Sequence, residues 1–327
     1  MKLDAYAKAL GSALALTLGV GTSHAAEYRW LSSFDRSQAQ SVPFFAEPFM
    51  KAVETASNGS IKFVVSGPET IPLFEQLQPA ASGAFQFLYT HGAYHFGTTP
   101  ILTAFEAVGG DEKARRESGV LEWIDKYYQK LGVKLVASPM TSEGGYGILL
   151  RQPPTPAGDL QGRKIRGTPS YNAVFRMLGA TPVQMPPGEI YQALEKGVVD
   201  GAAWPTVGPL NYRWYEVAKY LLKPAFGFNM NPIFMNLAAW NKLTDAERKI
   251  LTDVGKKYEA VWYKEYARLV QEEDKALVSK GMQIVEMGAA QKAKLREAWS
   301  EGLWDMSIQK SKKDVEELRA LAKSKGL

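Results

Sequence analysis

The sequence predicts an α/β protein of two lobes, with the chain crossing between them more than once and a long helix that lies across both. Three observations carry this. The 327 residues exceed what one hydrophobic core usually accommodates. Strand and helix signals alternate in a βαβ rhythm, and the rhythm restarts after the proline-rich, polar stretch at 151–158. Helical spacing then runs without a break from about Asp245 to Lys280.

The elements follow in order. Tyr28 to Ser32 reads as a first strand. Phe45, Phe49 and Val53 give Pro43 to Ala56 helical spacing, stopped by Asn58-Gly59. Ile61 to Val65 alternates as a strand, Gly67-Pro68 turns, and Phe74 to Ser82 forms a short helix ending at Gly83. Phe85 to Thr90 is a strand, Glu117 to Leu131 a helix stopped by Gly132, and Val133 to Ala137 and Tyr146 to Leu150 are further strands. The second series opens at Leu160. It runs strand Lys164 to Arg166, helix Ser170 to Leu178, strand Pro182 to Gln184, helix Glu189 to Lys196, a short strand at Val198-Val199 and a loop from Asp200 to Pro209. Phe234 to Leu237 returns as a strand. Thr244 and Glu247 form a capping box ahead of the long helix, which Gly281 ends. At 1.5 Å per residue that helix is about 50 Å long, more than one small lobe needs. Met282 to Val285 is a late strand, and helices close the chain. The expected division is 26–145 with about 232–268 in one lobe, and 146–231 with about 269–327 in the other.

Residues 1–25 are set apart. Lys2 and Lys8 precede an apolar run from Ala9 to Gly21, and Ser23-His24-Ala25 supplies a small-residue cleavage pattern. This is a secretory signal peptide, cut after Ala25 or Ala26. The run is too short to span a bilayer comfortably, which disfavours an uncleaved anchor. Removing two lysines and one aspartate lowers the formal charge from +5 to +4. That is too mild for a nucleic-acid binder, and no basic stripe with interleaved aromatics appears. The absence of cysteine in an exported protein of this size suits the bacterial periplasm better than a disulfide-stapled scaffold.

Recognisable catalytic chemistry is missing. No GxSxG, P-loop or GxGxxG motif is present. His91 and His95 in "HGAYH" have i, i+4 spacing, but Gly92 weakens a helix and no HExxH glutamate accompanies them. They read as loop histidines, and neither a metal nor a cofactor is expected.

The stretch "GRKIRGTP" packs Arg163, Lys164 and Arg166 into four residues. Strand alternation separates Arg163 and Ile165 from Lys164 and Arg166. Arg166 ends the strand, where ligands of α/β sheets collect, and a guanidinium suits a carboxylate. A solvated surface arginine fits the same pattern, and pattern alone does not choose.

At this point the chain resembles the extracytoplasmic solute-binding proteins of TRAP (tripartite ATP-independent periplasmic) transporters. Asp159 to Arg166, Gly179 to Met185, Glu189 to Leu194 and Gly197 to Gly201 follow the family pattern in order. "YEVAKYL", "SNGSIKFVVSGP" and "FEQLQPAASGAFQFLY" extend the likeness over nearly the whole mature chain. The resemblance implies the two-lobed periplasmic binding protein fold, with lobes that close over a ligand. It implies that Arg166 pairs with the ligand carboxylate, and that the closed form delivers the ligand to the large and small membrane subunits of a permease. Some members carry a further arginine where this chain has "GYGILL"; Arg151 comes about four residues too late for that role. The family asparagine after D-G becomes Trp204. A cation-assisted subgroup shares that tryptophan but places an acidic ligand where Ala203 stands, so no metal is carried over. Tyr89 and Thr90 end a strand where members often place a polar group.

These departures point to one dominant anion anchor within apolar or aromatic walls. Trp204, Tyr89, Tyr94, Phe74 and Tyr146 are the wall candidates, although each aromatic other than Trp204 is more often core than site. Such a cavity favours a small monocarboxylate, aromatic or 2-oxo, over a polyhydroxy acid whose buried hydroxyls would each need a partner. The expected role is a non-catalytic periplasmic receptor. Its alternatives are a sensor that feeds a signalling partner and, behind it, a periplasmic enzyme.

Overall fold

The computed structural model describes residues 26–35 and 45–327. The signal peptide expected at 1–25 and the first two residues of the helix expected from Pro43 lie outside the described residues. The first half builds β1 (Ala26–Ser32), α1 (Glu47–Ala56), β2 (Ile61–Ser66), α2 (Leu77–Ala81), β3 (Phe87–Tyr89), α3 (Ile101–Phe105), α4 (Glu112–Glu117), α5 (Val120–Lys130) and β4 (Val133–Ala137). The chain then crosses to β5 (Tyr146–Leu150), β6 (Lys164–Arg166), α6 (Asn172–Met177), β7 (Thr181–Val183), α7 (Ile190–Glu195), β8 (Gly201–Pro205) and β9 (Tyr220–Phe226). It returns for β10 (Ile233–Asn236), α8 (Leu237–Lys242) and α9 (Asp245–Ser279), and ends with β11 (Gln283–Glu286), α10 (Ala289–Lys310) and α11 (Lys312–Ser324).

Two sheets result, ordered β2-β1-β3-β10-β4 and β11-β9-β5-β8-β6-β7. Both are mixed rather than wholly parallel, because β10 runs antiparallel to β3 and β4, and β5 runs antiparallel to β8 and β9. Each antiparallel strand follows or precedes a crossing between the sheets. The first sheet is covered on both faces, so its strands alternate between two cores rather than between core and water. Trp30, Phe87 and Tyr89 pack with α1 and α9, while Leu31 and Leu88 pack with α3 and α5.

The long helix carries its capping box: Thr244 Oγ1 accepts from Glu247 N–H, and Glu247 Oε2 accepts from Thr244 N–H. Leu251, Trp262 and Leu269 join a first-sheet core, and Leu277 joins a second-sheet core, so α9 bridges both. Gly255 lets it touch the first sheet closely; a Cβ there would stand 2.9 Å from Val136 O.

Three expectations are corrected. The helix expected over 117–131 begins only after Gly119, as α5, because the φ of 83° at Gly119 leaves the helical region, and a separate α4 precedes it. The loop expected from Asp200 holds β8 instead, and Val198-Val199 is not a strand. Gly201 to Trp204 is buried on both faces, so no alternation marks it, and a Cβ at Gly201 would stand 2.5 Å from Leu149 O. The closing helix α11 packs Val315, Leu318 and Ala322 against the first-sheet core around Val120 and Ile124.

His95 is buried and its Nε2 lies 2.8 Å from Tyr128 Oη. Burial first, and His91 second, push its imidazole from 6.5 down to about 3. The neutral folded form is therefore at full advantage above the unfolded value. The advantage is lost as pH falls from 6.5 toward 3, where the unfolded chain binds the extra proton. Urea denaturation at pH 7, 5.5 and 4.5 should show wild type losing stability relative to His95→Gln by about 1.4 kcal/mol per pH unit below 6. Equal pH slopes in the two proteins would contradict it.

Candidate ligand-binding site

The site begins at the carboxyl end of β6, between β7 and β8. Of the three basic residues in that stretch, only Arg166 turns inward, where it is 2% exposed. Lys164 is exposed. Arg163 donates through Nη1 to Gln152 O at 2.7 Å and through Nη2 to Pro153 O, tying down the loop between β5 and β6. Gly167 must lack a side chain, since a Cβ would stand 2.6 Å from Phe175 and 2.7 Å from Tyr171. That close approach brings the Tyr171 ring alongside the strand end.

The Arg166 guanidinium is held by backbone oxygens alone. Nε and Nη2 donate to Met185 O at 3.2 and 3.0 Å, and Nη1 donates to Ala203 O at 3.3 Å. The Trp204 ring lies beneath it at 5.1 Å. Of the five N–H bonds a guanidinium carries, two remain, one on each terminal nitrogen, which is the pair a bidentate carboxylate takes. Among the described residues no carboxylate makes an ion pair with it. Burial pushes its pKa below the usual arginine value, against the opposing influence of Tyr171, Tyr94 and Tyr212.

Arg166 faces a cavity of about 40 Å³ between the sheets, walled by Phe34, Tyr94, Tyr146, Tyr171, Trp204 and Trp262. The polar groups at its edge are His91, Thr168, Asn229 and Asn231. One buried network crosses it. Tyr146 Oη, from β5, donates to Glu106 Oε1 at 3.2 Å, accepts from Asn229 Nδ2 at 2.9 Å and lies 2.8 Å from His91 Nε2. His91 Nδ1 accepts from Ala93 N–H, so the ring proton of the neutral imidazole sits on Nε2, also 2.8 Å from Glu106 Oε1. Burial first, and then Glu106, raise the Tyr146 phenol well above its ordinary value, keeping it a donor. A second crossing runs from Tyr266 on α9: its hydroxyl lies 2.9 Å from Thr206 Oγ1 and donates to Gly145 O.

Four of the residues singled out from sequence meet at this cavity: Arg166, Trp204, Tyr94 and Tyr146. Three stand apart from it. Tyr89 is packed among Trp30, Phe34 and Phe45 in the first-sheet core. Thr90 is buried, with its hydroxyl accepting from Ser33 Oγ at 2.8 Å. Phe74 is 48% exposed and touches the site only by edge contact with Tyr94. Sequence reasoning missed Asn231, Tyr171 and Tyr266, and it left His91 in a loop. The histidines do not share a site, since His91 meets Tyr146 and His95 meets Tyr128. Among the described residues no group of three or more His, Asp or Glu is placed to hold a metal ion.

Residues 36–310 match the model of the bacterial extracellular solute-binding protein family 7. A curated relative from Nostoc, a monocarboxylate 2-oxoacid-binding periplasmic protein, is 27% identical over 76% of this chain and 72% of its own. Two solved structures share the fold. A TRAP periplasmic solute-binding protein from Desulfovibrio salexigens with bound orotic acid superimposes at a TM-score of 0.80, with 20% identity over 91% of this chain and 98% of that one. One from Rhodoferax ferrireducens with bound malonate superimposes at 0.78, with 21% identity over 91% and 97%.

The network gives a stability expectation. Tyr146→Phe strips buried Glu106 and Asn229 of one partner and should lower unfolding free energy by about 1–3 kcal/mol. The readout is a lower urea midpoint at unchanged slope. An unmoved midpoint would show that the hydroxyl holds nothing together.

Proposed function

The chain belongs to the bacterial extracellular solute-binding protein family 7, and on that premise we propose that it captures a small organic acid and hands it to a TRAP-type permease. The single observation that carries the reading is Arg166: a buried cation with two free N–H bonds and no carboxylate partner among the described residues. Leaving a charge buried and unpaired is costly, and an incoming carboxylate removes that cost with two charge-assisted hydrogen bonds. Trp204 Nε1–H, buried beside the guanidinium and without a partner, supplies one more donor to the same anion.

The rest of the reading follows the cavity. About 40 Å³ holds the centres of roughly three waters, which suits an acid of few heavy atoms. Walls of tyrosine and tryptophan suit an apolar or planar body rather than a polyol. The relatives that bind a 2-oxoacid, orotic acid and malonate support a carboxylate as the common element.

The two sheets, with their cores, are proposed to move as lobes about the crossings near 137–146 and 226–233, with α11 counted on the first lobe. Closure would form the Tyr146 and Tyr266 bonds over the ligand. The role is reception rather than catalysis, in the periplasm, after removal of the signal peptide. No helix among the described residues is long and apolar enough to cross a membrane. The partners are the permease subunits that the family implies.

A thermal-shift and calorimetric screen of pyruvate, 2-oxobutyrate, benzoate and related acids tests the anchor. Arg166→Ala should weaken any hit by about 2–5 kcal/mol. Arg166→Lys should fall between, because a point charge cannot reproduce the paired N–H geometry. A hit bound equally well by wild type and Arg166→Ala would sink the assignment.

A further inference from the structure

We propose that a second cavity, on the far side of the crossings from the ligand cavity, is a control point for ligand affinity: it widens as the ligand cavity narrows, so bulk placed in it favours the closed form. This rests on the reading of the two sheets as lobes that close over the ligand. The second cavity holds about 700 Å³, against about 40 Å³ for the first. A single ribbon of chain runs between them. The two crossings are bonded side by side: Gly144 and Gly145 N–H both donate to Gly227 O, at 3.0 and 2.9 Å, and Thr141 N–H donates to Asn229 O at 2.9 Å. Each cavity takes its own residues from that ribbon. Glu143, Gly144, Phe226 and Phe228 line the large one, while Tyr146, Asn229 and Asn231 line the small one.

The large cavity is a gap between the two bodies rather than a hole within one. Arg319 and Lys323 reach it from α11, which packs on the first-sheet core. Leu295 and Trp299 reach it from α10, where they belong to a second-sheet core. Trp299 is also the partition. Its ring stacks on Tyr171 at 6.2 Å and lies 5.2 Å from Tyr146, both walls of the ligand cavity, and the same ring lines the large cavity. Two bodies joined by one ribbon, with a gap on either side of it, exchange one gap for the other when they rotate. The structure holds the small gap shut, with the Tyr146 and Tyr266 bonds made, and the large one open. A side chain that fits the large gap in this arrangement is pinched when the lobes part. It raises the fraction of molecules already closed before a ligand arrives, and apparent affinity rises with that fraction.

The test places an indole in the cavity from either body: Arg296→Trp on α10 and Lys323→Trp on α11, both at exposed positions that line it. A cooperative urea transition in each variant establishes that it folds. Small-angle X-ray scattering then compares the ligand-free mature chains, and this comparison needs no ligand. Arg296→Trp and Lys323→Trp should each be more compact than wild type, whereas Arg296→Ala and Lys323→Ala should match it. In calorimetry with pyruvate, 2-oxobutyrate and benzoate, every acid that Arg166→Ala weakens should bind at least about threefold more tightly to Arg296→Trp and Lys323→Trp than to wild type. Folded variants no more compact than wild type, or binding no more tightly, would overturn the control point, while compaction of the wild type by a bound acid would leave the lobe movement standing. Wild-type scattering unmoved by a bound acid would overturn the lobe movement, and this proposal with it.

Discussion

A buried guanidinium that no carboxylate among the described residues pairs with is the constraint around which the rest is arranged. Arg166 must keep its charge in a place that burial makes unfavourable, so every neighbour is chosen to hold it without neutralising it. Two backbone carbonyls, Met185 O and Ala203 O, take three of its hydrogens. The face of Trp204 supports the plane, with a quadrupole that favours a cation. Tyrosines whose own hydroxyls burial keeps protonated surround it, so none competes as an anion. The small residues of β8 and the bare Gly167 serve the same end, since they let strand and ring come close enough to enclose the charge.

A buried carboxylate belongs to the network that crosses the cavity. Glu106 is 1% exposed, and it is satisfied by His91, Tyr146 and the fold around them rather than by an arginine. Trp299 Nε1, from α10, donates to the carbonyl of the same residue at 3.3 Å. Elements from three separate parts of the chain therefore converge on one residue, two on its carboxylate and one on its backbone carbonyl. Separating the two sheets would take the Tyr146 hydroxyl away from a buried carboxylate, leaving it only His91. This couples the geometry of the crossing to the geometry of the pocket.

What the sequence made legible follows from how local each signal is. β4, β5 and β6 match their expected bounds because each is short and ends in an unambiguous turn. The capping box of α9 was legible because both partners sit within four residues. Arg166 could be singled out because alternation and the following turn give its direction, and the family resemblance gives its role. The His91–Glu106–Tyr146–Asn229 network could not be read, since its members are up to 138 positions apart and none belongs to a periodic pattern. Tyr89 was misplaced because a three-residue strand buried on both faces does not reveal which core each side chain enters. Phe74 fails for the opposite reason, sitting in a short turn that no core demands. β8 was mistaken for a loop because small residues carry little strand propensity, although close strand packing is what they permit.

The long helix also fixes a length. Gly255 seats α9 against Val136 on β4, and Glu273 Oε1 accepts from Gly208 and Leu210 N–H beyond β8, at 3.0 and 2.7 Å. Eighteen residues separate these points, about 27 Å along a rod that neither stretches nor folds. Two sheets held to one helix at these points are kept at a fixed spacing along it, so the lobe movement proposed above would be a swing about the helix rather than a slide along it. The gap between them is therefore set by an angle, and an object placed deep in the gap is measured far more strictly than one near its mouth. In such a device, the fit of a small acid becomes visible to whatever reads the outside of the protein.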